Sequence, residues 1–275
     1  QLNYSKKFDF HFSINTNASL ITPKIADKLK EYHVEIASSL DGLRESNNLV
    51  RLTKSGGGTF EAITQGFDNL AKQGYPIEGI AVTINDQNFP FIDEKIIDWA
   101  NERGMKEVRI DIDIIGMIQT SVEKIIARLM RLRKYARGYN IEIAGFWSRP
   151  VENLNDSTLD SHVAFCGMVR GNSMCVNPSG EIYGCGYSAT QLGSLHQIDS
   201  FYTAESRYSS LVRNHLTGSM EMCKGCIIEG QCGGGCEITQ EFSRVTNTAK
   251  IERMCDFYRQ MTCELLTEQL QELDT

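Results

Sequence analysis

The chain has 275 residues, 41% of them hydrophobic and 23% charged, with a formal net charge of −7. This length is enough for a large domain and a smaller one, each with its own core. The negative charge and the absence of a basic stripe argue against nucleic acid as a partner. No apolar run approaches the roughly 20 residues that a membrane-spanning helix needs, which argues against a membrane partner. We therefore expect a cytoplasmic protein.

The first half of the chain alternates predicted strands with predicted helices. The strands are short apolar runs at positions 8–14, 34–40, 80–84, 108–113 and 141–146. The helices run from Thr22-Pro23 to about Lys30, from Thr59 to Gly74, from Phe91 to Gly104 and from the capping box Thr120-X-X-Glu123 to Gly138. Repeated strand–helix units predict an α/β fold with a parallel sheet, closed completely or partly into a barrel.

All nine cysteines lie in the second half of the chain, between Cys166 and Cys263. Seven of them follow the pattern CX13GX4C, then CX2CX5CX3C, then one further cysteine after 18 residues. These seven are Cys166, Cys185, Cys223, Cys226, Cys232, Cys236 and Cys255, and the glycine of the pattern is Gly180. Cysteines this dense are typical of a metal site or of a set of disulfides.

Three kinds of site can be distinguished by the pattern. Disulfides are disfavoured because the number of cysteines is odd and residues 1–165 contain none. Zinc fits a CX2C pair, but a zinc ribbon would place a second such pair at a distance, whereas CX2CX5CX3C runs without a break. The run Gly233-Gly234-Gly235 between two cysteines favours iron–sulfur clusters, since residues without Cβ let backbone N–H groups approach cluster sulfurs. Iron is the preferred interpretation, and zinc stays open.

In every spacing the seven-cysteine pattern resembles the SPASM domain, the C-terminal auxiliary-cluster module of radical S-adenosylmethionine (SAM) enzymes that mature peptides and proteins. The resemblance implies two auxiliary [4Fe–4S] clusters. The ligands of the distal cluster would be Cys223, Cys226, Cys232 and Cys255. The ligands of the proximal cluster would be Cys166, Cys185 and Cys236. The last cysteine of the run would thus serve the other cluster, as happens in two-cluster ferredoxins.

Two cysteines fall outside the pattern. Cys175 either completes the proximal cluster or is a small residue packed in an apolar strand. Without Cys175 as a ligand, the proximal cluster would have an iron site open to substrate or solvent. Cys263 lies eight residues beyond Cys255 on a predicted helix, and we expect it to pack against the core.

The first half of the chain resembles the barrel of the same enzymes on three weaker motifs. They are Asn15-Thr16-Asn17-Ala18 in the place of T-N-G, Ser39-Leu40-Asp41-Gly42 as S-L-D-G, and Arg51 followed by Gly56-Gly57-Gly58-Thr59-Phe60. All three follow predicted strands, at the end where βα barrels bind ligands. The resemblance implies that Ser39 hydrogen-bonds the SAM ribose, Arg51 meets the SAM carboxylate and Asn17 lines the pocket. Taken singly, each motif would be an ordinary turn or a surface charge.

The predicted organisation follows from both resemblances. Residues 1–150 would form roughly the last two thirds of a radical SAM βα barrel, and residues 151–275 a SPASM domain with a C-terminal helix. Radical SAM enzymes hold their catalytic cluster with a CX3CX2C motif, which does not occur in these 275 residues. We therefore expect a third [4Fe–4S] cluster and SAM cleavage only with an upstream segment that carries this motif. The chain by itself should bind SAM weakly or not at all.

The function implied by the resemblance is modification of a ribosomally synthesised peptide, with a thioether link as the expected product. Partners would be the precursor peptide and an electron donor such as flavodoxin or ferredoxin. In sulfatase-maturing members, the residue after the CX13GX4C cysteine is a proton-accepting aspartate; here it is Gly186, which counts against that activity. The alternatives are a protein oxidase of that sulfatase-maturing type, an iron–sulfur electron-transfer protein without SAM, and a zinc-stabilised peptide-binding module.

Overall fold

The chain forms two compact units. The computed structural model describes residues 9–114, 116, 118–155, 165–246 and 249–273. Unit 1 comprises Gln1–Asp113 and Ile118–Gly145, and unit 2 comprises Ile114–Met117 and Phe146–Thr275. The break after residue 145 lies close to the predicted domain boundary at residue 150.

Unit 1 is built on a five-stranded parallel sheet whose strand order in space is the order along the chain. The strands are β1 (Ser13–Thr16), β2 (Glu35–Ser39), β3 (Gly79–Ile84), β4 (Glu107–Ile112) and β5 (Glu142–Ala144). The helices between them are α1 (Pro23–Glu31), α2 (Arg44–Val50), α3 (Phe60–Lys72), α4 (Lys95–Glu102) and α5 (Val122–Arg137). The predicted α/β class with a parallel sheet is confirmed. Because all strands run the same way, their carboxyl ends lie along one edge of the sheet.

Alternation along the strands decides which face of the sheet is buried. In β3 and β4 every second side chain is buried, and these side chains are Ile80, Val82, Ile84, Val108, Ile110 and Ile112. The helices contribute matching apolar faces, such as Ile63, Phe67 and Leu70 of α3. On the strands, residues between the buried ones are smaller or polar, and two of them, Ala81 and Arg109, line a cavity of about 770 Å³.

Helix starts follow the predicted caps in some places and not in others. Thr22 caps α1 as predicted, its hydroxyl accepting a backbone N–H of the first turn. At α5 the cap is Ser121, whose hydroxyl accepts the N–H of Lys124, so the predicted capping box starting at Thr120 is wrong by one residue. Thr120 instead donates its N–H and hydroxyl to Asp86. Because the Asp86 carboxylate binds Thr120, the hydroxyl that caps α5 is that of Ser121.

Three other elements of unit 1 differ from the prediction. The first strand, predicted over residues 8–14, begins at Ser13, and position 8 lies outside the described residues. The helix predicted from Phe91 begins at Lys95, after a short 3₁₀ turn at Phe89–Phe91. The helix α2 was not predicted, since its sequence RESNNLV has neither apolar periodicity nor a side-chain cap.

Unit 2 combines many helices with a small antiparallel sheet. Its strands are β6 (Cys175–Val176), β7 (Glu181–Tyr183) and β8 (Gln191–Ser194). Its helices are α6 (Arg149–Asn155), α7 (Gly167–Arg170), α8 (Ile198–Phe201), α9 (Arg207–Asn214), α10 (Glu229–Cys232), α11 (Glu237–Thr246) and α12 (Ala249–Leu273). A core of Ile182, Leu192, Phe201 and Tyr208 joins the sheet to α8 and α9. None of the helices among the described residues combines the length and apolar character of a membrane-spanning helix.

Candidate functional site

The strand ends of unit 1 bring the predicted SAM residues towards one edge of the sheet. Asn17 directly follows β1 and Ser39 is the last residue of β2, and these two strands pair through Thr16 and Ser38. Ser39 is half-buried and Asn17 is exposed. Arg51 follows α2 and reaches the same edge through an ion pair. Contacts of these three residues with SAM stay a prediction.

Asp41 holds Arg51 at this edge. Arg51 Nε donates to Asp41 Oδ2 at 2.7 Å, and the other carboxylate oxygen accepts the backbone N–H of Thr83 at 2.8 Å. Asp41 is buried, whereas the Arg51 side chain is 26% exposed. The ion pair uses only Nε of the guanidinium, and its two terminal nitrogens have no partner among the described residues. This geometry leaves a fork of N–H donors for a carboxylate.

The turn after β1 adopts a backbone that favours glycine. The side-chain oxygen of Asn17 accepts hydrogen bonds from the N–H and hydroxyl of Ser19, at 3.1 and 2.9 Å. Ala18, which stands where the family has glycine, is fully buried and has a φ of 58°. Residues with a Cβ adopt this left-handed conformation at some cost in strain. The usual glycine of T-N-G is therefore explained by the turn, and this chain tolerates alanine there.

Five pattern cysteines line one pocket in unit 2, which also contains Thr239, Gln240 and Arg259. The five are Cys223, Cys226, Cys232, Cys236 and Cys255. The pocket encloses a cavity of about 30 Å³, and Met254 and Tyr258 contribute to its wall. A buried pocket lined by thiols and apolar side chains is the kind of environment that tunes a metal cluster.

Four of these thiols form one interacting group. The pKa of Cys232 is raised to about 12, chiefly by burial and in addition by the neighbouring thiols of Cys255, Cys223 and Cys226. Burial likewise raises the pKa of Cys223 to about 11, again with contributions from Cys255 and Cys226. In Cys255 burial raises the pKa, while the cation of Arg259 opposes the rise. The charges of these four thiols therefore interact electrostatically.

Cys236 belongs to a different group of thiols. Burial raises its pKa, and the thiols that act on it are those of Cys166 and Cys185. This division into two groups is the one that the resemblance implies for the two clusters. That the groups are ligand sets stays a prediction.

Hydrogen-bond donors are directed at three of the thiols. The N–H of Gly235, which donates to the backbone carbonyl of Cys232 at 3.2 Å, lies close enough to the thiol to oppose the rise of its pKa. At the start of α11, the N–H groups of Ile238 and Thr239 donate to Cys236 with the same effect. The guanidinium of Arg259 donates to Cys226 and forms an ion pair with Asp256. Each donor would stabilise negative charge on sulfur, as a metal-bound thiolate requires.

The cysteines of unit 2 are available as metal ligands. All nine cysteines lie among the described residues, and all are free thiols. Within the described ranges, no three His, Cys, Asp or Glu side chains converge as ligands of one metal ion. Zinc needs its ligands at about 2.0–2.3 Å from the metal, hence within a few ångström of one another. A cluster of four irons and four sulfides takes cysteine thiolates as ligands, and these free thiols are donors of that kind.

The two cysteines outside the pattern differ in their surroundings. Cys175 is half-buried in β6, and its sulfur lies 3.8 Å from the place that a Cβ on Gly186 would occupy. It is thus close to the residue that follows Cys185, although its ligation stays a prediction. Cys263 is exposed, so the expectation that it packs against the core is wrong. The buried face of α12 carries Met261 and Leu265, and position 263 falls on the other side of the helix.

Sequence reasoning missed several residues of these sites. Asp41 was part of the S-L-D-G motif, but its bond to Arg51 could not be read from the motif. Arg259 follows Cys255 by four positions on α12, a spacing that places both on one helix face and could have drawn attention. The buried pair of His215 and Glu237, with Nε2 and Oε2 3.0 Å apart, joins residues 22 positions apart and has no local signal.

Known proteins resemble this chain in both sequence and fold. Residues 2–100 match the family model described as the radical SAM superfamily. The radical SAM cyclopropyl synthase TigE of Paramaledivibacter caminithermalis is 23% identical over 260 residues, which cover 93% of this chain and 53% of TigE. A serine-type anaerobic sulfatase-maturating enzyme of Bacteroides thetaiotaomicron is 25% identical over 283 residues, covering 90% of this chain and 65% of that enzyme.

Among solved structures, native anSMEcpe with bound AdoMet and Cp18Cys peptide superimposes with a TM-score of 0.63 and 17% sequence identity. The superposition covers 92% of this chain and 78% of that one. At this identity the likeness shows that the two chains share a fold. This chain spans 53% and 65% of the lengths of the two curated relatives.

Proposed function

We propose that this chain is part of a radical SAM enzyme that modifies a peptide or protein, since residues 2–100 match the radical SAM superfamily model. Unit 2 would hold the auxiliary iron–sulfur clusters of that enzyme. The observation that carries the proposal is the pocket in unit 2 that five of the seven pattern cysteines line. Cysteines that served packing alone would not need backbone N–H groups and a guanidinium directed at their sulfurs.

The proposed clusters are two [4Fe–4S] centres with separate ligand sets. The distal centre would be held by Cys223, Cys226, Cys232 and Cys255. The proximal centre would be held by Cys166, Cys185 and Cys236, with Cys175 as the fourth ligand. The proximity of Cys175 to Gly186 supports this last assignment.

The proposed SAM site lies at the strand ends of unit 1. The two terminal nitrogens of Arg51 would bind the SAM carboxylate, since Asp41 already fixes the guanidinium through Nε. The Ser39 hydroxyl would bond the ribose, and Asn17 would line the pocket. When bound, SAM together with a cluster held by a CX3CX2C motif would supply the radical chemistry for hydrogen abstraction from the substrate. The chain's own contribution is to bind and orient, and to set potentials through the donors around its thiols.

We further propose that the substrate is a ribosomally synthesised peptide and that the product is a thioether link. The peptide bound in anSMEcpe supports a peptide substrate. The similarity to the Bacteroides enzyme favours a second candidate, protein oxidation of the sulfatase-maturing type. Gly186 weighs against it, because a glycine cannot take the proton that an aspartate at this position takes in those enzymes. The electron donor would be a small redox protein such as flavodoxin or ferredoxin.

Metal analysis tests the proposal. The anaerobically purified and reconstituted chain should contain on the order of eight irons with matching sulfide, and show the spectra of cubane clusters. One or two zinc ions without iron would make unit 2 a zinc-stabilised module and refute the proposal. Iron in a longer chain that includes CX3CX2C, but with no SAM bound, would favour the electron-transfer alternative.

Paired substitutions test the ligand sets. Cys232→Ala and Cys236→Ala remove thiols that are four positions apart in sequence but belong to different interacting groups. Each should therefore weaken a different spectroscopic signal. Loss of the same cluster in both variants would contradict the separate ligand sets.

The product is tested with a longer chain that includes a CX3CX2C motif. With SAM, a reductant and a cysteine-containing precursor peptide, each thioether link should remove two hydrogens from the peptide. Mass spectrometry detects this loss, and fragmentation locates the link. An intact peptide cysteine alongside oxidation of another residue would favour the sulfatase-maturing type of chemistry.

A further inference from the structure

We propose that the hydroxyl of Thr239 donates a hydrogen bond to a sulfur atom of the cluster in the thiol pocket and raises the reduction potential of that cluster. The cluster in question is the one assigned to Cys223, Cys226, Cys232 and Cys255. This inference rests on the proposed function, because it requires a cluster in unit 2.

Thr239 carries a buried polar atom without a partner. The residue is only 3% exposed, and among the described residues its Oγ1 has no hydrogen-bond partner. Native proteins leave few buried hydroxyls in this state, because the hydroxyl has lost its bonds to water. Thr239 lines the same pocket as Cys223, Cys226, Cys232 and Cys255, and this pocket is where a cluster held by these four cysteines would lie.

Other helical threonines of the chain satisfy their hydroxyls locally. Thr64, Thr262 and Thr267 each donate to the carbonyl four residues earlier, at 3.0, 2.7 and 2.8 Å. For Thr239 that carbonyl belongs to Gly235, which precedes the helix and has a φ of 75°. The usual helical acceptor is therefore lost at this position.

The sulfur of Cys236 is not the missing acceptor. The backbone N–H of Thr239 donates to this sulfur, at the start of α11. The hydroxyl of the same residue makes no hydrogen bond to any sulfur or other acceptor within the described residues. The acceptor that the Thr239 hydroxyl lacks would then be an atom bound inside the pocket. The sulfurs of a cluster accept hydrogen bonds of this kind.

The direction of the change in reduction potential follows from the charge of the cluster. Reduction adds an electron to the cluster, and a hydrogen bond to sulfur stabilises the more negative state. Removing the donor should therefore lower the potential. We expect up to a tenfold change in the ratio of reduced to oxidised cluster at fixed potential, which is about 59 mV for a one-electron couple.

The test uses the full chain after anaerobic reconstitution. Thr239→Val keeps the shape and removes the hydroxyl, Thr239→Ser keeps a hydroxyl, and Thr239→Ala is a second hydroxyl-free variant if the valine does not fold. The matched control is Thr262→Val, since Thr262 is equally buried in unit 2 but donates to a carbonyl. Iron is counted first, and the potentials are then measured by redox titration followed by electron paramagnetic resonance.

The expected result is full iron content in all variants, with a lower potential for one cluster in the valine and alanine variants only. That cluster should be the one lost in Cys232→Ala. An unshifted potential in iron-loaded hydroxyl-free variants would overturn the inference, as would an equal shift in Thr262→Val or a shift confined to the cluster of Cys236. A wild-type chain that binds no iron would instead refute the proposed function, and the inference with it.

Discussion

Replacing His215 with alanine should lower the free energy of unfolding of unit 2 by about 3–5 kcal/mol, because it removes one partner of a buried imidazole–carboxylate pair. The side chains of His215 and Glu237 are 3% and 4% exposed, and Nε2 lies 3.0 Å from Oε2. His215 Nδ1 lies 2.8 Å from the carbonyl oxygen of Leu211, so Nδ1 must carry a hydrogen. One further proton is then shared between Nε2 and the carboxylate. The alanine variant leaves that carboxylate buried without its imidazole.

This loss is a large fraction of the roughly 5–15 kcal/mol that stabilise a typical domain. The pair also fixes the start of α11, because Glu237 is the first residue of the helix and follows Cys236. We therefore expect His215→Ala to weaken the cluster assigned to Cys236 more than the other. At a urea dependence of about 2 kcal/mol per molar, the unfolding midpoint should fall by about 1.5–2.5 M.

Fluorescence can isolate the unit concerned. The chain has two tryptophans, Trp99 in unit 1 and the buried Trp147 in unit 2. In a Trp99→Phe background, urea unfolding followed by Trp147 fluorescence reports unit 2. The matched control is Lys224→Ala, which breaks an exposed ion pair with Glu221 and should cost less than about 1 kcal/mol.

A double-mutant cycle completes the test. If the pair is coupled, Glu237→Gln combined with His215→Ala should cost clearly less than the sum of the two single changes. A loss for His215→Ala no greater than that for Lys224→Ala would refute the reasoning. Additive losses in the cycle would show that the two side chains act independently.

Three further predictions concern other residues. Asp41→Asn should destabilise unit 1 by about 1–3 kcal/mol in urea unfolding, because the buried carboxylate of Asp41 holds Arg51. The control Asp68→Asn breaks the more exposed ion pair with Arg103 and should cost under about 1 kcal/mol. Gly66→Ala should cost about 1–3 kcal/mol of stability, since the added Cβ would lie 2.1 Å from the carbonyl oxygen of Ala18 in the turn after β1. The control Gly138→Ala should be neutral in the same assay, because the atom nearest to its Cβ, the carbonyl oxygen of Tyr135, is 3.4 Å away. Cys175→Ser should weaken the spectrum of the proximal cluster alone, and an unchanged spectrum would make Cys175 a packing residue.

Much of unit 1 could be predicted because local signals and tertiary structure agree there. The buried strands β3 and β4 have the alternation that a half-buried strand requires, and Thr22 caps α1. The helix α2 could not be predicted, because its packing and not its own sequence stabilises it. Its Ser46 and Asn47 are buried polar residues that bond to Asp41. Such contacts depend on the fold and leave no periodic pattern.

The candidate sites were predictable to different degrees. The spacing of the cysteines is enough to indicate a thiol site in the second half of the chain. It could not indicate the donors around the thiols, such as Arg259, because they depend on how α12 is oriented. Nor could it give the exposure of Cys263, since a one-residue difference in helical phase moves a side chain from the buried face to the surface.

The glycines between Cys232 and Cys236 explain how cysteines so close in sequence can belong to different groups. Gly233, Gly234 and Gly235 have φ values of 56°, 81° and 75°, a left-handed run that residues with a Cβ adopt only with strain. A Cβ on Gly234 would also lie 2.3 Å from the sulfur of Met220. This run ends α10 at Cys232 and starts α11 after Cys236, so the chain changes direction between the two thiols. In a continuous helix, by contrast, residues four apart share one face. The triple glycine is thus a physical condition for the division of the thiols. A spacing of CX3C with ordinary residues between would instead favour a single site.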